Sequence, residues 1–438
     1  MLRSSKNDTQ QCLFFSLGDS LDQKHPLYIL AHKVDWSMFE KEFSKFYSAD
    51  HGAPAKPIRL MVGLLILKHV RNLSDESLVE QWSENNYYQY FCGQNEFIAK
   101  QPCVATELVM FRQRIGIEGC ELILKESIRI NGKDGDESDL SADTTVQEKN
   151  ITYPTDHKLH RKIISKCKKI ANGERVTLRQ TYTRTLKRLY VDIRFSNHPK
   201  NKKKARAAGR KIGTIAGRLV RELERKLSNN HGYEQELALF TKVLNQKRSD
   251  KNKIYSLHEP GVHCISKGKE HKKYEFGNKV SILYTQNTGV IVGALAFQNQ
   301  YDGHTLPEAL EQYERLKNKP AKHVFADRGY KGKTVIGQTN IHIPKPFSKK
   351  LNTYQQQKRR KSHKRRAAIE PIIGHLKQDH RLSRNFYKGD FGDAINVMLA
   401  AAAFNFKRMM NKYKQKIAHI YIKIQAILFC NFIPKEGF

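Results

Sequence analysis

The chain has 438 residues, 39% of them hydrophobic, which allows two to four domains with packed cores. Lysine and arginine number 78 against 43 acidic residues, a net charge of +35 with a pI near 9.8, and so large an excess repels itself in a compact fold unless a polyanion such as nucleic acid shares it. The seven cysteines are odd in number and include no CxxC pair, which argues against a disulfide framework or a zinc ribbon and for reduced thiols packed as small hydrophobes.

The first stretch, Met1 to Asp22, has no apolar h-region, so no signal peptide is expected there. Residues 27–130 read as helical, and residues 1–131 as an N-terminal helical DNA-binding domain. Asp35 is a good N-cap for a helix carrying Trp36, Phe39, Phe43 and Phe46 at helical spacing, a stripe that predicts core packing. A Leu- and Met-rich helix from Ile58 to Val70 stops at Arg71-Asn72, and Ser74 caps the next, which suits a helix-turn-helix. Thr106 opens another helix through Phe111, Arg112 and Arg114, closed at Gly116.

Gly132 to Asp139 reads as a linker and Leu140 to Val146 as a short strand. The chain then turns basic and helical, with runs such as Lys202-Lys203-Lys204, and residues 157–253 are expected to be a basic helical insertion. After it, Tyr274 to Thr285 and Val290 to Phe297 flank a hairpin turn, Pro307 to Leu316 is helical, and His323 to Ala326 is a short apolar strand ending on Asp327. A basic loop, Lys349 to Lys364, leads to a helix from about Arg365 to Asp379 and a last apolar helix from Ala394 to Met410. The expected catalytic domain therefore comprises residues 132–156 and 254–415, with 416–438 as a tail. The order predicts an α/β fold around a mixed sheet. The longest late apolar run, Ile424 to Ile433, is too short to span a bilayer and contains Gln425 and Asn431, so a soluble cytoplasmic protein held on the nucleoid, with no membrane partner, is expected.

Two aspartates stand out because a carboxylate on or at the end of a buried strand is costly unless liganded or paired. Asp143 lies in Ser141-Ala142-Asp143-Thr144-Thr145-Val146, and Asp327 follows Val324-Phe325-Ala326 and precedes Arg328-Gly329-Tyr330. Taken alone, Asp327 reads at least as well as a cap of the turn after it. Glu370 shares a helix face with Arg366 and Lys377, roughly 40° and 20° away at about 100° per residue, while Ile372 and Leu376 face the other side. Three carboxylates from distant points of a chain suit phosphodiester chemistry, in which two hard metal ions roughly 3.5–4 Å apart activate one oxygen and stabilise another. Asn299, Asp302 and His304 form a lesser polar cluster, in which Asp302 reads as a loop cap or as a support for the metal site.

These residues carry a resemblance. Arg366-x3-Glu370-x6-Lys377 looks like the glutamate signature of bacterial insertion-sequence transposases of the DDE class, in the group comprising the insertion-sequence four and five families. Asp143-Thr-Thr resembles the first motif of that class and Phe325-Ala-Asp327-Arg-Gly-Tyr330 the second. Asn72-Leu-Ser-Asp-Glu76, Tyr87-Tyr-Gln-Tyr-Phe-Cys-Gly93 and Phe111-Arg-Gln-Arg-Ile-Gly116 resemble the amino-terminal domain of five-type members. The resemblance spans roughly residues 40 to 410 and implies an RNase H-like core in which Asp143, Asp327 and Glu370 ligate two Mg²⁺ ions, Mn²⁺ substituting. It also implies that Arg366, Lys377, His363 and Arg328 lie toward double-stranded DNA, at the terminal inverted repeats and the target, with a homodimer on the DNA. His363 stands where the family usually has Tyr, which alters any backbone contact made from that position. Four-type relatives stack a flipped base on a Trp of their inserted domain; only Trp36 and Trp82 occur here, both far from the insertion, which leaves Tyr182, Tyr190 or Phe195 as possible stacking rings. The competing readings are an RNase H-like nuclease without strand transfer and a non-catalytic DNA-binding protein derived from a transposase.

Overall fold

The computed structural model describes residues 16–48, 51–194, 196, 198–227, 231–247, 249–266, 272–332, 334–344, 352–357, 360 and 368–431. The chain forms two compact units, Met1–Gln147 with Lys279–Phe438, and Glu148–Asn278.

The first unit opens with six helices: α1 (Pro26–Lys33), α2 (Trp36–Ser44), α3 (Ile58–Val70), α4 (Asp75–Glu84), α5 (Asn86–Phe91) and α6 (Ala105–Arg129). Asp35 caps α2 by accepting the Met38 N–H at 3.1 Å, and Phe39 and Phe43 are fully buried, as the aromatic spacing predicts. Ser74 caps α4 through the Ser77 N–H at 3.0 Å. Gly116 takes φ 66°, but the chain resumes helix beyond it to Arg129 rather than ending there. Every residue of α3 except Arg59 is buried, and α4 exposes Glu76, Glu80 and Glu84 at i, i+4 spacing, a stripe that repels phosphate. Periodicity located both helices; only packing shows that they form the core of a scaffold.

A mixed sheet follows, consistent with an RNase H-like core. Its strands are β1 (Asp139–Lys149), β2 (His263–Ser266), β3 (Tyr274–Thr285), β4 (Ile291–Phe297), β5 (His323–Phe325), β6 (Val335–Ile336), β7 (Thr339–His342) and β8 (Arg384–Asn385). In the first unit β1 pairs with β3, β5 and β8, and β5 also pairs with β7. The β1–β5 and β5–β7 ladders are parallel, while β3–β4 and β6–β7 are antiparallel. The turn between β3 and β4 is closed by Thr285 N–H to Val290 O at 2.9 Å and relies on Gly289 at φ 71°. Helix α11 (Asp302–Lys317) starts five residues before the expected Pro307, which its first turns accommodate. After α12 (Ile369–Asp379), helix α13 (Gly389–Asn431) runs well past the expected end at Met410, into the stretch expected to be a tail.

Buried side-chain amides tie α13 into this unit. The Asn405 carboxamide accepts the Ile291 N–H at 2.9 Å and donates to Ile291 O at 2.8 Å and Ser127 Oγ at 3.0 Å, linking α13, β4 and α6. Asn396 donates to Gln147 Oε1 at 2.7 Å, and Asn385 to Asp393 Oδ1 at 2.6 Å, which fixes β1 against α13 and β8.

The second unit contains α7 (Asp156–Gly173), α8 (Thr183–Arg194), α9 (Lys202–Lys226) and α10 (Glu234–Asn245), around a core that includes Leu159, Ile163, Ile212, Leu219 and Phe240. It also contains β2, paired antiparallel with the start of β3. Of the candidate stacking rings, Tyr182 and Tyr190 pack against the helical core, and Arg161 lies 4.5 Å over the Tyr190 ring; Phe195 lies outside the described residues. Cys92, Cys103, Cys120 and Cys167 are buried and free, and burial pushes their thiols up to about 11 for Cys103 and about 12 for the others. Among the described residues no helix is long and apolar enough to cross a membrane.

Candidate active site

Parallel pairing delivers two acids to one end of the sheet. β1 and β5 pair in the register Asp139–His323, Leu140–Val324 and Ser141–Phe325. Asp143, inside β1, and Asp327, just past β5, each lie two residues beyond the last of these pairs, hence side by side where the β1–β5 ladder ends and on the same face by the period-two alternation. That is where α/β sheets place their ligands. Both carboxylates are half-buried. The Asp143 Oδ1 accepts the Thr144 N–H at 2.7 Å, and the Asp327 Oδ1 accepts the Gly329 N–H at 2.7 Å. Asp327 thus does cap the turn after it, through one oxygen.

A third aspartate converges on this place. Asp302, at the start of α11, takes Lys279 Nζ on Oδ1 at 2.8 Å and the Thr144 hydroxyl on the same oxygen at 3.0 Å. It does not cap a loop. Its other oxygen and Asp327 Oδ1 would lie 3.0 and 2.9 Å from a Cβ placed on Gly329, so only glycine lets the two carboxylates approach so closely. Tyr330, 2% exposed, sits among the three acids. Burial first, then the charges of Asp143, Asp302 and Asp327, push its phenol well above the ordinary range. The Ser281 hydroxyl interacts with the phenol and works against that rise.

Glu370 is placed differently. It lies in the first turn of α12 and is exposed, while Ile372 and Leu376 on the opposite side are buried, as the helix-face reading expects. The far end of α12 is held by the helical scaffold: Asn72, at φ 57°, donates to Gln378 O at 2.9 Å, Arg381 donates to Asn72 O at 3.2 Å, and His380 bonds His69 O at 2.9 Å. Among the described residues no three His, Cys, Asp or Glu side chains form a ready metal site. Lys377 is half-buried and Arg328 is exposed beside Asp327. His363 and Arg366 lie outside the described residues.

Asp302 and Asp327, whose oxygens approach one another across Gly329, supply hard carboxylate donors of the kind a divalent cation takes. Lys279 and Tyr330 escaped the sequence reading. A lone lysine inside the long, buried run of β3 was the one available signal for Lys279, since an ammonium there needs a partner.

Comparison with known proteins adds three findings. Residues 15–114 match the family described as "Transposase domain (DUF772)", and residues 251–406 match that described as "Transposase DDE domain", which takes in Asp327 and Glu370 and begins after Asp143. The chain is also similar to a protein of Rhizobium meliloti described as "Uncharacterized protein ORF8 in nfe locus", 39% identical over 201 residues, which is 44% of this chain and 95% of that protein. No solved structure matches the chain.

Proposed function

The chain belongs to the insertion-sequence DDE transposases and acts on DNA, and we propose that Asp143, Asp327 and Glu370 are its catalytic carboxylates. The observation that carries this is the β1–β5 register, which places two acids from far apart in the chain side by side. Enzymes of this family use divalent ions; two Mg²⁺, with Mn²⁺ as substitute, would here activate the attacking oxygen and offset charge on the leaving one.

The chain's own residues orient and charge-balance the site. Asp143 and Asp327 offer their outward oxygens, and Glu370 supplies the third carboxylate from α12. Lys279 and Thr144 fix Asp302, which holds the negative potential beside Asp327 without swinging into solvent. By the family motif, Arg328, Lys377, Arg366 and His363 would contact the DNA phosphates. The reaction is cleavage at the terminal inverted repeats followed by attack of the freed 3′ hydroxyl on target DNA, in a dimer assembled on the ends and acting at the nucleoid. The test is to incubate the protein with a duplex carrying the element's ends, a supercoiled target and Mg²⁺. Joined products support transposition; cleavage without joining leaves a nuclease; binding without either leaves a repressor.

Two substitutions examine the supporting groups. Asp302→Asn should raise the Mg²⁺ concentration needed for half-maximal cleavage by about 10- to 100-fold, the usual consequence of disturbing groups behind metal ligands. An unchanged Mg²⁺ titration would remove Asp302 from the site. Tyr330→Phe removes a buried hydroxyl whose neighbour is the Ser281 hydroxyl, so its melting temperature should change little, while cleavage falls by about 10- to 100-fold. Full activity in that variant would make the phenol a packing group.

A further inference from the structure

We propose that the exposed face of α9, in the second unit, is a sequence-independent binding surface for the backbone of duplex DNA. This rests on DNA being the substrate of the chain but not on the catalytic assignment. Residues Glu148–Asn278 carry 33 lysines and arginines against 12 aspartates and glutamates, which is 21 of the chain's net +35. Much of that excess is ordered along one helix. Lys203, Arg206, Arg210, Arg218, Arg221 and Arg225 are all exposed, and at about 100° per residue they fall within roughly a third of the helix circumference. The opposite side, with Ala208, Ile212, Ile215, Leu219 and Leu223, is buried in the unit's core.

Two ion pairs of α9 involve lysines outside this stripe. Asp192 pairs with Lys204 at 2.8 Å and Glu222 with Lys226 at 2.8 Å, both off the stripe, and Glu224 accepts the Thr241 hydroxyl at 3.0 Å. Among the described residues no carboxylate pairs with Lys203, Arg206, Arg210, Arg218 or Arg221. At about 1.5 Å per residue the helix spans about 37 Å, close to one turn of B-DNA, so its cations can meet the backbone phosphates that border a groove on the near side of the duplex. Phosphate contacts of this kind position a protein without reading bases. A membrane surface fits poorly, because an interfacial helix needs an apolar face to insert and the apolar face of α9 is already inside the unit.

The test compares the full-length chain with its Arg206→Glu/Arg210→Glu/Arg221→Glu variant, after matching their melting curves. Binding to a fluorescent duplex of arbitrary sequence, about three helical turns long, is followed by anisotropy across a salt titration without divalent ions. The variant should bind at least about tenfold more weakly, and its slope of log K against log salt should be shallower by about 3, one unit for each lost phosphate contact. An unchanged affinity and slope would overturn the proposal. So would an unaltered chain that binds duplex RNA or phosphatidylserine vesicles more tightly than DNA, with that binding lost in the variant. No cleavage is read, so the result is independent of whether Asp143, Asp327 and Glu370 are catalytic.

Discussion

Replacing Asp143, Asp327 or Glu370 by its amide is expected to lower DNA cleavage by about a thousandfold or more while leaving DNA binding nearly intact. The magnitude follows from the several kcal/mol of transition-state charge stabilisation that bound divalent ions provide, at about 1.4 kcal/mol for each factor of ten. The amide keeps the shape, and for Asp143 and Asp327 the hydrogen bond to the neighbouring backbone N–H, so loss of folding is not the expected cause. Binding follows phosphate contacts from lysine and arginine, which these changes leave untouched. The measurement is a time course of end cleavage in Mg²⁺, paired with a binding titration in chelator. The three positions do not stand equally. Asp143 and Asp327 are fixed by strand register, whereas Glu370 is exposed in the first turn of α12. Near-normal cleavage by Glu370→Gln, with Asp302→Asn inert, would transfer the third carboxylate's role to Asp302.

What the sequence made legible was whatever rests on local spacing. Asp143 and Asp327 could be found because each interrupts or ends a short apolar run, and Ile372 and Leu376 mark the inward side of the Glu370 helix. Asp35 and Ser74 were readable as caps because capping is a contact within three residues. What depends on distant partners was not legible. Asp302 reads as a loop cap or as a support for the metal site, and only the fold, by bringing Lys279 from 23 residues away and Thr144 from 158, decides between them. Tyr330 reads as the tail of a motif until burial puts it among three acids. Burial of whole helices was not legible either. The periodicity of Ile58 to Val70 cannot say that nearly all of that helix is enclosed, nor that the next one shows an acidic stripe.

Asp75→Ala is expected to destabilise the first unit by about 3–5 kcal/mol, the usual result of removing one partner from a buried ion cluster. Lys68 and Arg112, whose side chains are 3% and 5% exposed, both rest on this one carboxylate. Lys68 Nζ lies 2.7 Å from Asp75 Oδ1, and the Arg112 guanidinium grips both oxygens at 2.8 Å. The two cations also flank the Tyr387 ring, at 4.8 and 4.5 Å from its centroid. Burial, and then the charge of Arg112, push the Lys68 ammonium down to about 8. Burial works against Asp75 as well, but the Arg112 hydrogen bonds and the Lys68 charge overcome it and hold the carboxyl at about 2. Because that value is below the ordinary 3.8, Asp75 stabilises the fold above about pH 4, and its contribution is lost as pH falls through about 2. Denaturant unfolding at neutral and acid pH should therefore show the variant weaker at pH 7 and flatter than the parent on the acid limb. Equal stability at pH 7 would show that solvent already screens the cluster. Lys68 immediately precedes His69, whose carbonyl holds His380, and Asn72 holds Gln378, so the cluster lies next to the contacts that seat the far end of α12. The variant that remains folded should for that reason cleave more slowly than its stability loss alone requires, because the helix carrying Glu370 has lost the rigidity of its footing.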